Sequence, residues 1–286
     1  MHKASDIFLS IVIPTRNSAP FLKVILPSIL KQSDSDSIEV IISDNLSDDD
    51  TRSYAESFGC NVVVVQGKAP QGCKQRNEGI KISKGEYVLV LDHDMELANN
   101  FYGVVHQQLV QSRDILAWYV PEKVLCHSHL LTQIRNFENM VFAETPIAAT
   151  RLFHKSVFSQ IGYYDEHLSD GPGDWDFDMK VHQTNIETGS IKSHVIHHEE
   201  GLTLGRYVGK KYGYVAGSVR YREKWQTNPN MQSRLAGQFS PIYRLFGFID
   251  TKAKFVYVIR HPTQYLLFIL ITLLKAAQYI RYKLSL

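Results

Sequence analysis

Two aspartates one residue apart, Asp92 and Asp94, follow directly after an apolar run, Leu89–Leu91. Hard cations such as Mg²⁺ prefer carboxylate oxygens and commonly share them with substrate phosphates. In a regular strand the two aspartates would lie on one face, and in a turn both could reach one ligand. The spacing is compatible with a divalent-metal site, but by itself so short a pattern is more often a strand end with two solvated acids.

Apolar segments of strand length alternate with helix-like segments through the first hundred residues. Strands are predicted at 9–13, 40–42, 62–65 and 87–91, and helices at 21–30, 51–58 and 72–83. Continuous apolar strands separated by helices predict a parallel sheet covered on both faces, with ligands bound beyond the carboxyl ends of its strands. Three polar loops lie at those ends and are expected to converge on one crevice: 14–17, 43–45 and 92–94.

Charge is distributed unevenly along the 286 residues. Residues 1–200 carry 17 Lys and Arg against 27 Asp and Glu, whereas residues 201–286 carry 14 against two. This asymmetry suggests a body and a basic tail that meets an anionic partner, either nucleic acid or a membrane surface. The three scattered cysteines lack metal-site spacing and the polar N-terminus lacks a signal-peptide pattern, so a reduced, cytosolic protein is expected. Neither a GxGxxG nor a Walker A motif occurs, which argues against NAD-type and P-loop chemistry.

Several motifs, in this order along the chain, resemble the family 2 glycosyltransferases, which are inverting enzymes of the GT-A fold. The resembling segments are Ser10–Asn17, Ile41–Asp49, Lys74–Ile80, Gly85–Asp94, Gly162–Glu166, Gly173–Asp176 and His198–Gly201. The resemblance implies an α/β, GT-A fold with a mostly parallel, Rossmann-like sheet and helices on both faces. A C-terminal helical, membrane-associating tail is predicted in addition, from residues that lie beyond the resembling segments.

The resemblance assigns a nucleotide-sugar site to the first strand ends. It implies that Thr15, Asn17 and Asp44 contact the nucleoside, with Asp44 facing the base, and that Pro14 belongs to the same site. Arg76 is expected near the nucleotide. Turn chemistry around Pro14 and an exposed salt bridge at Arg76 are the structural alternatives.

By the same resemblance, Asp94 is the direct metal ligand and Asp92 lies near the ribose or the metal shell. His93 is placed in the nucleotide-sugar site but turned away from the metal. A histidine of the 196–201 segment is expected to complete the metal shell or touch the diphosphate, and the His-x-Glu-Gly spacing selects His198, with His197 as the alternative. Imidazole suits Mn²⁺ better than Mg²⁺, so either ion is expected as the cofactor.

An acid-rich segment supplies the catalytic candidate. Inverting glycosyl transfer needs a base to deprotonate the acceptor hydroxyl, and the resemblance implies that Asp174 is this base. A carboxylate against the neighbouring indole of Trp175 would have a raised pKa. Family members usually have Glu before this Asp, whereas this chain has Gly173. Asp176 is retained as an additional site residue, with a role as a helix N-terminal acid as the preferred interpretation.

Four glycines spaced by four, from Gly205 to Gly217, would form one bare stripe if the segment were helical. Glycine costs a helix on the order of 1 kcal/mol per residue relative to Ala, so the pattern indicates close packing on that face. The sharper hypothesis is that Lys210 and Lys211, with Arg206, reach the substrate diphosphate or a lipid phosphate.

The C-terminal segment has no acidic residue after Asp250 and contains an apolar run at 265–274. The run is about half of the roughly 20 residues that span a bilayer. Basic and aromatic residues at its margins favour monotopic attachment to the cytoplasmic leaflet, with a core or oligomer-forming helix as the alternative. The predicted domains are a catalytic domain at 1–225, with a nucleotide-binding half (1–95) and an acceptor-binding half (96–225), and a helical segment at 226–286.

The predicted function is metal-dependent, inverting transfer of a sugar from a UDP- or GDP-type donor to a glycan or lipid-linked acceptor in polysaccharide or glycolipid biosynthesis. Partners are therefore the donor, the acceptor, a membrane surface and, as an open alternative, a second copy of the chain, but not nucleic acid. Two other functions compete with this one. They are nucleotidyl transfer to a sugar phosphate, disfavoured because no Gly-rich loop follows the first strand, and non-catalytic nucleotide-sugar binding, disfavoured because a binder needs no base.

Overall fold

The computed structural model describes residues 7–66, 72–168, 172–209, 215–240 and 242–285, and the side chains of 215–216 and 278–285 are not described. The chain divides into two compact units, each built from two segments. Unit 1 is Met1–Pro121 with Ala149–His197, and unit 2 is Glu122–Ala148 with His198–Leu286. The division therefore falls at 197 and 198, whereas the sequence placed a domain boundary at 225, and it assigns 122–148 to the same unit as the C-terminal helices.

Unit 1 contains a seven-stranded sheet of order β3-β2-β1-β4-β8-β6-β9. Its strands are β1 (Leu9–Thr15), β2 (Ile38–Asp44), β3 (Asn61–Val64), β4 (Tyr87–Val90), β6 (Ala117–Tyr119), β8 (Leu152–His154) and β9 (Thr188–Ser190). The four strands predicted from the first hundred residues pair in parallel, as expected. β8 runs antiparallel between β4 and β6, so the sheet is mixed.

Among its described residues, unit 1 contains six α-helices. They are α1 (Ala19–Leu30), α2 (Thr51–Ser57), α3 (Gly72–Ile82), α4 (Phe101–Gln111), α6 (Ser156–Ile161) and α7 (Pro172–Gln183). The first three lie within two residues of the boundaries predicted from apolar spacing. Proline at the start of α1 is favourable because its missing N–H is not needed there and its backbone angle is already helical.

Every residue of β1 is buried, which shows that both faces of the sheet are covered at this strand. Alternate side chains of a strand point to opposite faces, so Ile11 and Ile13 join the core formed with α1 while Val12 joins the core formed with α3 and α7. Fully burying each such side chain contributes roughly 1.5–3 kcal/mol. The continuous apolar run therefore specifies a central strand, and its polar carboxyl end is held rigidly at the edge of the sheet.

Two further strands of unit 1 bring a distant segment to the end of β4. They are β5 (Met95–Leu97) and β10 (Val195–His198), and they pair antiparallel with His197 opposite Met95. The chain reaches β5 through a turn in which the Met95 amide donates to the Asp92 carbonyl, 3.1 Å away. This pairing places His197 beside the turn that carries the two aspartates.

Unit 2 is mainly helical. Its elements are β7 (Glu122–Leu125), α5 (His129–Phe142), α8 (Leu204–Gly209), α9 (Val215–Trp225), α10 (Gln232–Phe239), α11 (Lys252–Arg260) and α12 (Pro262–Ser285). Side chains of α5 pack on both later helices, since Phe137 contacts Tyr257 on α11 and Phe268 on α12. The C-terminal segment is therefore helical, as predicted, and it is part of a packed core.

Among the described residues, no single helix is both long and apolar enough to cross a bilayer. α11 and the part of α12 up to Ala277 meet that criterion only together, and they are bent by 97° at the break between them.

Candidate active site

The carboxyl ends of β1 and β2 are joined by a buried aspartate. Asp44 is 0 % exposed. Its carboxylate accepts hydrogen bonds from Thr15 Oγ1 at 3.0 Å, from the Ser47 amide at 2.9 Å and from the Ser47 hydroxyl, and Arg52 Nε lies 3.6 Å away. These contacts use both carboxylate oxygens, so Asp44 holds the two loops together at the position where a nucleoside site was predicted.

Asn17 fixes the loop after β1. Its backbone adopts the left-handed conformation with φ of 50°, which Asn tolerates better than most residues. Its backbone amide donates to Ser47 Oγ at 2.8 Å, and its side-chain carbonyl accepts from the backbone amide of Asp48 at 2.8 Å. Pro14 lies within β1 opposite Ser43. Asn17 therefore binds the 44–48 loop and fixes it beside the carboxyl end of β1.

Gln75 on α3 connects the ends of the same two strands, β1 and β2. Its buried side-chain amide donates to the carbonyls of Thr15 at 2.8 Å and Ser43 at 2.6 Å. The Thr15 carbonyl also accepts from the Asn45 amide at 2.9 Å, so these bonds together satisfy buried backbone acceptors at the ends of both strands. Gln75 thus fastens α3 to the ends of β1 and β2, and Arg76 is the next residue of this helix.

Arg76 links two of the predicted site carboxylates. This side chain is buried, with Nη2 3.0 Å from Asp92 Oδ1 and Nη1 3.4 Å from Asp174 Oδ1. Its guanidinium also lies 5.6 Å from the centroid of the Tyr164 ring. Burial opposes the charge, but Asp174 and Asp92 raise the pKa of Arg76 well above its ordinary value. The alternative of an exposed salt bridge at Arg76 is therefore wrong.

Asp92 has a second arginine partner that the sequence did not indicate. Arg151 Nη2 lies 3.1 Å from Asp92 Oδ2, so each oxygen of the carboxylate faces one guanidinium. Burial opposes ionisation, but Arg151, Arg76 and His197 outweigh it and hold the pKa of Asp92 well below its usual range. A carboxylate neutralised in this way is a poor ligand for a further cation, which favours a positioning role for Asp92.

Asp174 lies in the first turn of α7. Its side chain is 22 % exposed, and Arg76 Nη1 lies 3.4 Å from its Oδ1. The departure at position 173 has a steric reason, because a Cβ on Gly173 would collide with the Sγ of Cys73. Asp174 thus combines a fixed charge partner on one side with access to solvent on the other.

The acids that follow Asp174 are enclosed. Asp176 is 0 % exposed with Lys180 Nζ 3.8 Å away. Asp178 accepts from the amide and hydroxyl of Thr150 at 3.1 and 3.2 Å. These contacts are structural, and they tie α7 to the segment that leads into β8.

Asp94 is paired with a histidine. His197 Nε2 lies 3.3 Å from Asp94 Oδ2. Two ligands on adjacent corners of an octahedron with bonds of about 2.1 Å are about 3 Å apart, so this oxygen and nitrogen fit two neighbouring positions around one ion. No group of three or more His, Cys, Asp or Glu side chains suited to a metal occurs among the described residues. The pair would therefore need further ligands from substrate or water.

His198 and His93 have other neighbours. Consecutive strand residues point to opposite faces, and His198 Nδ1 lies 2.6 Å from Glu200 Oε1. His93 packs edge-on against Phe21 with ring centroids 5.1 Å apart. Of the two histidines, His197 is thus the one beside Asp94, although the sequence spacing had selected His198. Lys210 and Lys211, the additional predicted site residues, lie outside the described residues.

Comparison with known proteins decides the family. The family described as Glycosyl transferase family 2 matches residues 10–163, more than half of the chain. The chain belongs to glycosyltransferase family 2. The matched stretch contains the predicted strand-end residues from Pro14 to Asp94, and the sequence-based assignments of enzyme class and GT-A fold are confirmed.

Relatives of this family 2 glycosyltransferase include the GalNAc(5)-diNAcBac-PP-undecaprenol beta-1,3-glucosyltransferase of Campylobacter jejuni, 31 % identical over 35 % of this chain and 34 % of its own length. The chain spans between about a third and a half of the curated relatives that it matches first.

Solved structures share the fold at low sequence identity. The mannosyltransferase PcManGT of Pyrobaculum calidifontis, in complex with GDP-Man and Mn²⁺, has a TM-score of 0.66 at 14 % identity, covering 96 % of this chain and 86 % of its own. Residues 1–349 of S. aureus TarS in complex with UDP have a TM-score of 0.56 at 18 % identity, covering 92 % and 81 %.

Proposed function

We propose that this glycosyltransferase transfers a sugar, with inversion, from a nucleotide-diphosphate sugar to a hydroxyl or phosphate of its acceptor with the help of Mn²⁺ or Mg²⁺. The observation that carries the proposal is the row of charges Asp174–Arg76–Asp92 beside the Asp94–His197 pair. It would supply a carboxylate base, a fixed cation and a metal-binding pair near the carboxyl ends of the parallel strands. Ligands bind at this edge in α/β sheets.

A UDP- or GDP-type donor is supported by the crevice walls. The 14–17 and 44–48 loops are locked by Asp44 and Asn17, and a preformed wall lowers the entropic cost of holding a nucleoside. Structures of the same fold are described in complex with UDP and with GDP-Man. In this proposal Asp44 acts by fixing the loop geometry, since both of its oxygens already accept hydrogen bonds.

Asp94 and His197 would hold the divalent cation, and we keep His198 as the alternative ligand. The cation would supply positive charge that stabilises the leaving diphosphate. The mixed carboxylate and imidazole pair suits Mn²⁺ better than Mg²⁺. Arg76 and Arg151 would hold Asp92 in place so that the turn carrying Asp94 keeps its position.

Asp174 would accept the proton of the acceptor hydroxyl as the hydroxyl oxygen attacks the anomeric carbon. A positioned general base contributes roughly 10²–10⁴-fold to rate. Arg76 keeps the carboxylate ionised before the reaction, which is the state a base requires. The ion pair with Arg76 at 3.4 Å orients the carboxylate, whose side chain is 22 % exposed.

A lipid-linked acceptor at the cytoplasmic face of a membrane is the acceptor we favour over a soluble glycan. The last 36 residues contain no acid and several Lys and Arg, and anionic lipids attract such segments. A matched relative carries an undecaprenol-linked acceptor in its name.

The test is a screen of UDP- and GDP-sugars with Mn²⁺, read as nucleotide release, followed by Asp174→Asn. The variant should lose at least a hundredfold in turnover while the Kd of the nucleotide changes less than threefold. Asp114→Asn, an exposed acid on a surface loop, should leave both unchanged. Equal turnover in Asp174→Asn and the native protein would refute the assignment of the base, and absence of release from every donor would favour a binding protein.

A further inference from the structure

Unit 2 contains an apolar groove with a volume of about 530 Å³. Its walls come from α5, α12 and the loop at 200–204. The apolar lining includes Leu131, Ile134, Leu202, Leu267, Leu270 and Leu274. A volume of this size is in the range of pockets that enclose a small molecule. The lining contains few polar groups, so the groove is suited to hydrocarbon.

The groove opens onto an exposed apolar face of α12. One face of the helix is buried, with Phe268 2 % and Ile271 5 % exposed. The opposite face exposes four leucines: Leu266 (66 %), Leu270 (53 %), Leu273 (53 %) and Leu274 (43 %). Leu270 and Leu274 belong to both surfaces, because they also line the groove. An exposed apolar surface that continues into a groove is typical of an interaction site.

The charges of the region are complementary to an anionic amphiphile. The segment after Asp250 has no acidic residue, and Lys252 and Arg260 lie on the helix that precedes α12. His127 and Glu200 also line the groove, and the Glu200 carboxylate is paired with His198 Nδ1 at 2.6 Å. A molecule with one hydrocarbon chain and one phosphate-bearing head matches this combination better than a second copy of the chain, which would bring the same positive charge.

The groove wall is held by a buried ionic network. Arg135 on α5 binds Glu199 through Nε at 2.8 Å and Glu138 through Nη1 at 2.8 Å, and the Tyr207 hydroxyl donates to Glu138. Lys275 Nζ lies 3.6 Å from the centroid of the Tyr207 ring. The 200–204 loop begins directly after Glu199, so the network fixes the loop against α5. Because the groove is preformed, the free-energy cost of ordering its walls when a hydrocarbon chain binds is smaller.

We propose that this groove binds the isoprenoid chain of the lipid-linked acceptor. The proposal rests on the proposed glycosyl transfer to a lipid-linked acceptor and names the part of the acceptor that unit 2 recognises. The chain enters between Leu270 and Leu274 and lies against Leu131 and Ile134.

The test measures binding of farnesyl phosphate to the full chain by calorimetry, with inorganic phosphate as the comparison. The variant Leu270→Gln/Leu274→Gln changes the groove, and Leu266→Gln/Leu273→Gln is the matched control on the same exposed face outside it. The groove variant should weaken binding at least tenfold, whereas the control pair should stay within twofold of the native protein. Thermal unfolding midpoints within about 3 °C would show that both variants fold.

Three results would overturn the proposal. If both variant pairs weaken farnesyl phosphate binding equally, the ligand adsorbs to any apolar surface. If the protein binds inorganic phosphate as tightly as farnesyl phosphate, it recognises the head group alone. If the protein forms a concentration-dependent dimer that the groove variant abolishes, the groove is a subunit interface. Farnesyl phosphate binding needs no turnover. Binding with no nucleotide release would therefore refute the proposed function and leave the groove, whereas release with no binding would refute the groove alone.

Discussion

Replacing Arg76 with Met should destabilise the protein more than the loss of an exposed ion pair would. The side chain is buried between Asp92 at 3.0 Å and Asp174 at 3.4 Å, so its removal leaves two partly buried carboxylates without this cation. Breaking a buried ion pair costs about 3–5 kcal/mol. Because Arg151 still faces Asp92 at 3.1 Å, we expect the lower end, about 3 kcal/mol. Urea unfolding at pH 7 measures the loss.

The loss should also depend on pH. Although burial opposes ionisation, the arginines and His197 hold the pKa of Asp92 in the folded state below its unfolded value. A lowered folded pKa contributes stability that is present above the unfolded pKa, about 3.9, and is lost as pH falls through the folded pKa. Arg76→Met removes part of this contribution. The difference from the native protein should therefore be largest near pH 7 and narrow below about pH 4.

Lys81→Met on the same helix is the matched control. Lys81 pairs with Glu78 at 2.7 Å, but both side chains are more than a third exposed, and such pairs contribute about 0–1 kcal/mol. A cost for Arg76→Met that is below about 1 kcal/mol and does not vary with pH would refute the reasoning, since Arg76 would then behave like Lys81.

Two further pairs of substitutions compare residues of the same type in different surroundings. His197→Ala should raise the Mn²⁺ concentration for half-maximal activity at least tenfold while His198→Ala changes it less than threefold, and the reverse order in a metal titration would assign the site to His198. Gly85→Ala should lower the free energy of unfolding by about 1–3 kcal/mol, since a Cβ there would lie 2.6 Å from the Ser10 amide nitrogen. Gly205→Ala, in open space on α8, should be neutral or stabilising in the same unfolding assay; equal costs would refute the steric reason.

Local patterns were sufficient for the strand-end loops. Apolar runs of strand length separated by helical spacing predict β1, β2 and β4 in parallel, and the polar residues that follow each run must then meet at one edge of the sheet. The positions of Asp44, Asp92 and Asp94 at this edge follow from the local pattern alone. What each carboxylate does depends on its neighbours: the sequence placed Arg76 near the nucleotide but did not indicate that Arg76 and Arg151 pair with Asp92.

Arg151 and His197 illustrate what local patterns lack. Arg151 precedes β8, and it reaches Asp92 because β8 inserts antiparallel beside β4, with the Val90 amide donating to the Arg151 carbonyl at 2.9 Å. His197 faces Asp94 because β10 pairs with β5 in one register, and a shift of one residue would present His198 instead. Both contacts depend on strand pairing across many residues, which no spacing within a motif specifies.

The order of segments in unit 2 affects how the protein is made. The apolar face of α5, with Phe137, Val141 and Phe142, is synthesised well before Phe248 and Phe268, which cover it in the finished fold. At roughly 5–20 residues per second, ribosomal synthesis leaves that face without its partners for on the order of ten seconds. During this interval α5 is a surface to which chaperones or other nascent chains can adhere. A shortened chain that ends before α11 would carry that exposure permanently.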